Sequence, residues 1–140
     1  MRPKGTPIGL QLAHTSKTVS RAFADALAAA DGSVPMWLIL TSLMGESWSA
    51  QQHLAHALRI EGPTLTRHID GLEEAGLVVR RPAPRDRRAV QVELTEAGRA
   101  KHAELLQAVM AFNKRLVSGL EESELDELRA VLGKLEQNVR

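Results

Sequence analysis

Arginines crowd one short stretch of this chain, from Arg80 to Arg88. The stretch holds five arginines and one aspartate and so carries +4, whereas the whole chain of 140 residues carries +1. The other residues therefore sum to −3, and the positive charge is concentrated in one place. Guanidinium ions at this density favour a polyanion such as nucleic acid, because each ion can pair with a phosphate.

The arginine-rich stretch has the pattern of a β-hairpin. Residues 77–95 combine two runs of β-prone residues with a central segment that contains Pro82 and Pro84. We predict that the tip of this hairpin carries Arg85, Asp86, Arg87 and Arg88. From the tip, Arg88 or Arg87 could reach the floor of a DNA minor groove, which is narrow and strongly negative.

Asp86 is the single acidic residue of the predicted tip, and a carboxylate repels phosphate. We expect it to hold a neighbouring guanidinium by a charge-assisted hydrogen bond, so that the arginine enters the groove. The alternative is a turn stabiliser without a role in DNA binding, since aspartate is common in turns. Arg80 and Arg81, on the strand below the tip, are predicted to contact the phosphate backbone.

Two helices joined by a tight turn are predicted before the hairpin. Ser49–Gln52 matches a reciprocal capping pattern, which predicts a short helix to about Leu58. Gly62 and Pro63 then provide a cap and a fixed-φ first residue for a second helix, which stops near Gly76. The apolar face of this second helix consists of Leu65, Ile69 and Leu72.

The opposite face of the second helix is predicted to enter a major groove. At 100° per residue, Pro63, Arg67 and Asp70 point most directly away from the apolar stripe, with three side chains on its flanks: Thr64, Thr66 and His68. Arg67 can make a bidentate pair with guanine, and the threonine hydroxyls can contact a base edge or a phosphate. The alternative is an ordinary solvated helix face.

Further helices are predicted on both sides of this region. Residues 8–30 form a helix that stops at the glycine of Asp31-Gly32, and Ser33 caps an apolar, central helix that runs to Gly45. Thr95 caps a long helix whose apolar positions extend to Leu120. A final helix carries a stripe of Leu125, Leu128, Leu132, Leu135 and Val139. A second copy of the chain is the preferred partner for this stripe, and the chain's own first helix is the alternative.

The order helix, turn, helix and arginine-tipped hairpin predicts a winged helix-turn-helix. The expected fold is mainly α with a small β-hairpin wing, in a single domain over residues 1–140. Within it, residues 33–95 form a DNA-binding lobe, and residues 8–32 and 96–140 form a helical dimerisation lobe. The expected partners are double-stranded DNA and a second copy of the chain.

Composition excludes several other classes of protein. The chain has no cysteine, which excludes disulfides, thiol redox sensing and cysteine metal sites. No stretch has the apolar length of a membrane span or a signal peptide, so we expect a cytoplasmic protein without a membrane partner. The five histidines are scattered over four predicted helices and form no convincing site. His53 and His56 at i, i+3, with Glu46 nearby, are the alternative as metal ligands, but two ligands are too few. We therefore expect no enzyme activity, no metal and no cofactor.

Four short motifs follow one another at a characteristic spacing: Leu54-Ala55, Leu72-Glu73-Glu74-Ala75-Gly76-Leu77-Val78, Asp86-Arg87-Arg88 and Leu94-Thr95-Glu96-Ala97-Gly98. With these motifs the chain resembles the MarR family of bacterial transcriptional regulators, and within it the SlyA-like branch, over nearly its whole length. The resemblance implies a homodimer that reads a pseudo-palindrome with two winged helices. It also implies a ligand crevice between the dimerisation and DNA-binding lobes.

Particular residues match the family's functional positions. The recognition-helix contacts fall on Pro63, Thr64 and Arg67. The wing arginine falls on Arg88, oriented by Asp86, and Arg87 also matches the wing pattern. The ligand positions of SlyA-like relatives, which accept aromatic carboxylates, fall on His14, Lys17 and Trp37. The alternative for these three is surface charge on the first helix and a tryptophan that belongs to the core.

The resemblance and the charge pattern together predict a sequence-specific regulator of transcription, a repressor or counter-silencer. Its affinity for DNA would be modulated by a small anionic aromatic ligand. The main alternative is a winged helix that binds a partner protein and does not read DNA.

Overall fold

A computed structural model of the chain describes residues 4–45, 51–83 and 85–140. The described elements, in chain order, are α1 (Ile8–Ala29), α2 (Val34–Gly45), α3 (Gln51–Leu58), α4 (Gly62–Glu74), β1 (Val78–Ala83), β2 (Asp86–Leu94), α5 (Glu96–Leu116) and α6 (Glu122–Val139). β1 and β2 pair as an antiparallel hairpin. The predicted fold class, mainly α with a hairpin wing, is confirmed.

The chain divides into two compact units, Met1–Val109 and Met110–Arg140. The first unit has one hydrophobic core, to which each of its helices and both strands contribute. α2 packs against α1, α4 and β2, which agrees with its predicted central place. The fully buried side chains of this core are Leu27, Ile39, Leu40, Leu54, Leu65, Ile69, Val78, Val92 and Leu105. Their burial removes apolar surface from water, which is the main favourable term in folding.

Three helices of the first unit end with a residue in the left-handed conformation: Asp31 after α1 (φ 57°), Arg59 after α3 (φ 55°) and Gly76 after α4 (φ 77°). At each end, at least two backbone N–H groups donate to carbonyls of the last helical turn, as in the bond of 2.9 Å from Gly32 N to Leu27 O. These bonds satisfy carbonyl groups that a helix leaves unpaired at its C-terminus.

The glycine stop expected at Gly32 is wrong, because Asp31 supplies the left-handed residue. Gly32 is needed for a different reason. A Cβ built on it would lie 2.5 Å from a methyl group of Leu105, so a larger residue in the α1–α2 turn would force this buried side chain of α5 to shift. Gly98 has the same role at the start of α5, where a Cβ would overlap the carbonyl oxygen of Leu77.

Side-chain caps define two of the predicted helix starts. The Ser33 hydroxyl accepts a hydrogen bond of 3.2 Å from the backbone N–H of Met36, and the Thr95 hydroxyl accepts one of 3.0 Å from Gly98. The predicted cap at Ser49 lies outside the described residues. α4 starts one residue earlier than predicted, with Glu61 as its N-cap and Gly62 inside the helix. α5 ends at Leu116, so Leu120 lies beyond it.

The hairpin pairs Val78 with Leu94, Arg80 with Val92 and Pro82 with Val90. Because side chains alternate between the two faces of a strand, these pairs all lie on the face that carries the buried Val78 and Val92. The register shifts between Pro82 and Ala83, just before the turn. The strands therefore contribute directly to the first unit's core through Val78 and Val92.

In the second unit, α6 begins with a capping box in which Glu121 and Glu124 bind each other's backbone N–H groups. No residue of α6 is buried. Within the described residues, no single helix combines the length and apolarity needed to cross a membrane. α1 and α2, which would pass that test only as a pair, meet at a bend of 76°.

Candidate nucleic-acid interface

α4 turns one face into the core and the opposite face to solvent. Leu65, Ile69 and Leu72 are buried, whereas Pro63 and Arg67 are exposed. No carboxylate within the described part of the chain forms an ion pair with the Arg67 guanidinium. This guanidinium is therefore able to pair with an external acceptor such as guanine or a phosphate.

The other predicted recognition-helix residues lie on the flanks of α4. Thr64, Thr66 and His68 are each half-buried. Arg67 and His68 line a cavity of about 300 Å³ between α4 and the start of α2, with Ser33 and Met36 on its other side. The structure thus brings Pro63, Thr64, Arg67 and His68 to one continuous surface of α4.

Thr66 lies on the opposite flank, and its hydroxyl is already engaged. It accepts a hydrogen bond of 2.7 Å from Gln51 Nε2 on α3 and donates one of 3.0 Å to the carbonyl of Gly62. The predicted contact of this hydroxyl with a base edge or a phosphate would therefore compete with these two hydrogen bonds inside the protein.

Arg80 has protein partners where the sequence predicted a phosphate. Its side chain is 21% exposed and forms ion pairs with Asp70, at 2.7 Å, and with Glu73, at 3.1 Å, both on α4. The alternation of side chains along β1 could have predicted that Arg80 contacts the protein and not a phosphate. If Arg81 faces outward, its neighbour Arg80 must face the side of the strand that carries Val78.

The outer face of the wing keeps its positive charge near solvent. Arg81 is 64% exposed and pairs with Glu93 across the strands at 3.2 Å. Arg85 and Arg88 are also exposed. The side chains of Asp86 and Arg87 lie outside the described part of the structure, so the orientation of Arg88 by Asp86 stays a prediction.

The N-terminus of α4 adds a second preference for anions. Its N-cap residue, Glu61, makes no side-chain capping hydrogen bond. The backbone N–H groups of the first turn therefore keep their affinity for a negative group, to which the helix dipole contributes. This feature favours a phosphate near Gly62 and Thr64, next to Arg67.

The predicted ligand residues do not form one described cluster. His14 and Lys17 are exposed on α1, whereas Trp37 is half-buried on α2. The ring of Trp37 stacks on His102 of α5, with ring centroids 5.1 Å apart and an angle of 9° between the planes. Trp37 thus has an aromatic neighbour that the sequence interpretation missed.

His102 is a buried polar residue of the first unit. Burial lowers its pKa below the usual 6.5 of histidine, because desolvation disfavours the charged imidazolium. Spacing along α5 could have revealed it: His102 extends the buried series Leu105, Val109 and Phe112 by one further interval of three. The series had been read for apolar residues alone.

The burial of His102 predicts a pH-dependent stability. The unfolded chain takes up a proton at this site near pH 6.5 while the folded chain does not, so stability falls as the pH drops through 6.5 towards the lower folded pKa. Urea unfolding of the wild type and of His102→Gln between pH 7.5 and pH 5 measures this contribution. The wild type should lose more stability than the variant, and parallel curves would contradict the assignment.

The comparisons with known proteins agree with this geometry. Residues 33–90 match the family model described as MarR family. The chain is also similar to the transcriptional repressor CouR bound to a 23-mer DNA duplex, with a TM-score of 0.83 and 27% identity, over 93% of this chain and 92% of that one. Over residues 33–90 the chain is thus similar to the MarR family. Wild-type MarR from E. coli in its apo form is similar over 94% of this chain and 98% of its own, with a TM-score of 0.78 and 26% identity.

The MarR-family match extends from the start of α2 into β2 and so contains the whole candidate interface. α3 and α4 correspond to the helix-turn-helix of a winged-helix fold, and β1 and β2 to its wing. CouR from Rhodococcus jostii RHA1 has also been solved with p-coumaroyl-CoA. In that form it matches this chain with a TM-score of 0.77 and 25% identity, over 95% of each chain.

Proposed function

We propose that this chain is a MarR-family transcriptional regulator, which binds double-stranded DNA in a sequence-specific manner, as a homodimer on a pseudo-palindromic operator. The observation that carries the proposal is the likeness to CouR in complex with a DNA duplex, which extends over both the interface and the terminal helices. The exposed guanidinium of Arg67 and the exposed arginines of the wing support it independently.

Each part of the interface has a separate task. Arg67 reads a guanine in the major groove by a bidentate pair, and Thr64 and the α4 N-terminus hold the adjacent phosphate. Arg88 enters the minor groove from the wing, with Asp86 as its orienting partner, and Arg85 and Arg87 add positive charge around it. Arg81 contacts the phosphate backbone without regard to sequence.

The homodimer is supported by apolar surface that the single chain leaves uncovered. α6 has no buried residue, although Leu128, Val131 and Leu132 lie along it at exposures of 48%, 44% and 39%. The first half of α1 likewise exposes apolar residues, Ile8 and Leu10 among them. Long terminal helices with such stripes are stable in water when a second copy covers them, and a two-fold pair is the commonest arrangement.

We further infer that a small anionic aromatic ligand regulates DNA binding, as in the SlyA-like branch of the family. Lys17 and His14 would attract the carboxylate and Trp37 would contact the ring. Operator binding requires a dimer whose two recognition helices lie about 34 Å apart. A ligand that binds more tightly to a dimer with another spacing weakens operator binding, and the size of this effect is set by the difference between the ligand's affinities for the two dimers. CouR bound to p-coumaroyl-CoA is a relative with an aromatic ligand.

A salt titration tests the DNA-binding proposal. Binding to a random duplex should weaken steeply with salt, with a log–log slope of roughly −5 to −9 for about six to ten neutralised phosphates per dimer. Fluorescence anisotropy of a labelled duplex measures this slope. A winged helix that binds a partner protein would give a slope near zero, and that result would contradict the proposal.

Calorimetry tests the ligand separately. Titration with salicylate should give saturable binding to the wild type, and saturating salicylate should lower the affinity for a selected operator. Lys17→Gln should weaken salicylate binding, because the neutral amide no longer attracts the carboxylate, and should leave operator binding without ligand unchanged. An operator affinity that is unaffected by saturating ligand would overturn the regulatory part of the proposal.

A further inference from the structure

The strongest unassigned feature is a polar cluster that joins α3, α4 and β1, formed by Gln51, Thr66, Asp70, Glu73 and Arg80. We call it the Arg80 cluster. Thr66, Asp70 and Glu73 lie at positions i, i+4 and i+7 of α4, so they form a single flank of that helix. This flank borders the face that carries Arg67.

The guanidinium of Arg80 is held at all three of its nitrogens. Nη2 lies 2.7 Å from the Asp70 carboxylate and donates to the carbonyl of Thr66 at 3.3 Å. Nη1 donates to Glu73 at 3.1 Å, and Nε donates to the side-chain oxygen of Gln51 at 3.3 Å. The backbone N–H of Arg80 donates to the other oxygen of Glu73 at 3.0 Å. At least four of the five guanidinium N–H groups therefore have acceptors inside the protein.

The charge of the cluster argues against a phosphate contact. One guanidinium and two carboxylates sum to −1, so the cluster as a whole repels a phosphate. A phosphate would also have to displace Asp70 or Glu73 from short, charge-assisted hydrogen bonds. Arg81, by contrast, is 64% exposed and, among the side chains that the structure describes, pairs with the Glu93 carboxylate alone.

The Arg80 cluster also restrains the rotation of α4 about its own axis, which the apolar stripe of α4 does not. Contacts of Leu65, Ile69 and Leu72 with the core are favourable but non-directional, so they tolerate a small rotation of the helix about its axis. Charge-assisted hydrogen bonds from one planar guanidinium to two turns of α4 are directional. They fix the rotation of α4 relative to β1 and α3, and with it the direction of Arg67.

We propose that Arg80 is a positioning residue for sequence recognition: through Asp70, Glu73, Thr66 and Gln51 it sets the orientation of α4 against the wing and does not neutralise a phosphate. The inference rests on the proposed DNA-binding function. A displaced reading helix loses base contacts first, because a misalignment of about 1 Å breaks a bidentate pair, whereas phosphate contacts adapt.

The experiment compares two duplexes, one selected by the wild type from a random library and one with the same bases scrambled. Dissociation constants and salt slopes are measured for the wild type, Arg80→Met, Arg80→Lys and Arg81→Met, at a temperature where circular dichroism shows each variant folded. Arg80→Met should lower the ratio of specific to non-specific affinity by tenfold or more and leave the slope unchanged. Arg81→Met should weaken both duplexes equally and reduce the slope by about two per dimer.

Arg80→Lys separates charge from geometry. Lysine keeps the charge but not the planar fork, so it should lose discrimination between the duplexes although the slope is unchanged. If instead Arg80→Met reduces the slope with its ratio intact, and Arg80→Lys restores wild-type binding, Arg80 is a phosphate contact and the inference is overturned.

A second variant tests the cluster with Arg80 in place. Asp70→Asn combined with Glu73→Gln removes both carboxylates, so the protein gains positive charge near DNA while the helix loses its restraint. Non-specific affinity should rise and the ratio should fall, a combination that unfolding cannot produce. If the double variant keeps the wild-type ratio of specific to non-specific affinity, the positioning role of Arg80 is overturned and the proposed function stands. If the wild type selects no sequence, the proposed function is overturned as well.

Discussion

Arg67→Ala is expected to abolish the preference for one base pair in each half of the operator. A bidentate pair between arginine and guanine contributes about 1–3 kcal/mol of discrimination, which corresponds to a loss of roughly fivefold to a hundredfold per half-site. Arg67 is exposed on the α4 face opposite the buried Leu65 and Ile69, so its truncation leaves the core unchanged. Selection from a random library, repeated with the variant, measures the change position by position.

The control for Arg67→Ala is Arg21→Ala, which removes the same charge from an exposed position on α1. This control should select the wild-type sequence with the wild-type ratio of affinities. If Arg67→Ala also selects the wild-type sequence, the assignment of Arg67 as the base-reading residue is wrong.

Leu128→Glu combined with Leu132→Glu is expected to separate the homodimer and to lower operator affinity by about a hundredfold to ten-thousandfold. The loss has this size because two linked half-sites bind with a high effective concentration, which a monomer forfeits. Neither leucine is buried in the single chain, so the substitutions should not unfold it. Sedimentation equilibrium should give a mass near 15.3 kDa for the variant and twice that for the wild type.

The opposite face of α6 provides the matched control. Ala130 is exposed and lies about half a turn around the helix from Leu132. Ala130→Glu introduces the same side chain and should leave both the dimer and the operator affinity unchanged. A double leucine variant that still sediments as a dimer would show that the partner covers another surface.

The order of the elements could be predicted from the sequence because each is marked by local chemistry. Ser33 and Thr95 cap the helices that they were predicted to cap, and Gly76 adopts the left-handed conformation at the end of α4. Gly32 is instructive because the prediction treated it as a helix stop. Its actual constraint is the approach of Leu105, a residue more than seventy positions away, and local chemistry carries no information about such a contact.

The exposed residues of the interface could be predicted from the sequence more readily than the contacts that hold α4 in place. Helical periodicity gave Arg67 the exposed face of α4 that the structure also shows. Arg80 was predicted to contact a phosphate from its charge alone, although the alternation of side chains along a strand already placed it on the face opposite to Arg81. The acceptors that hold its guanidinium come from α3 and α4, and a partner set drawn from two other elements depends on tertiary packing.

The stacked pair of Trp37 and His102 was missed for a related reason. A histidine within an apolar series is easily treated as an interruption of the stripe. In the structure its ring completes the series by stacking on Trp37, and burial lowers its pKa because desolvation disfavours the charged imidazolium.

The central claim is that two copies of the winged helix read DNA together, one turn of the duplex apart. Hydroxyl-radical footprinting of the wild type on its selected duplex tests this claim most directly. Two protected tracts should appear on each strand, with centres about 10 base pairs apart and related by a two-fold axis. A single protected tract, or uniform protection without a selected site, would contradict the account.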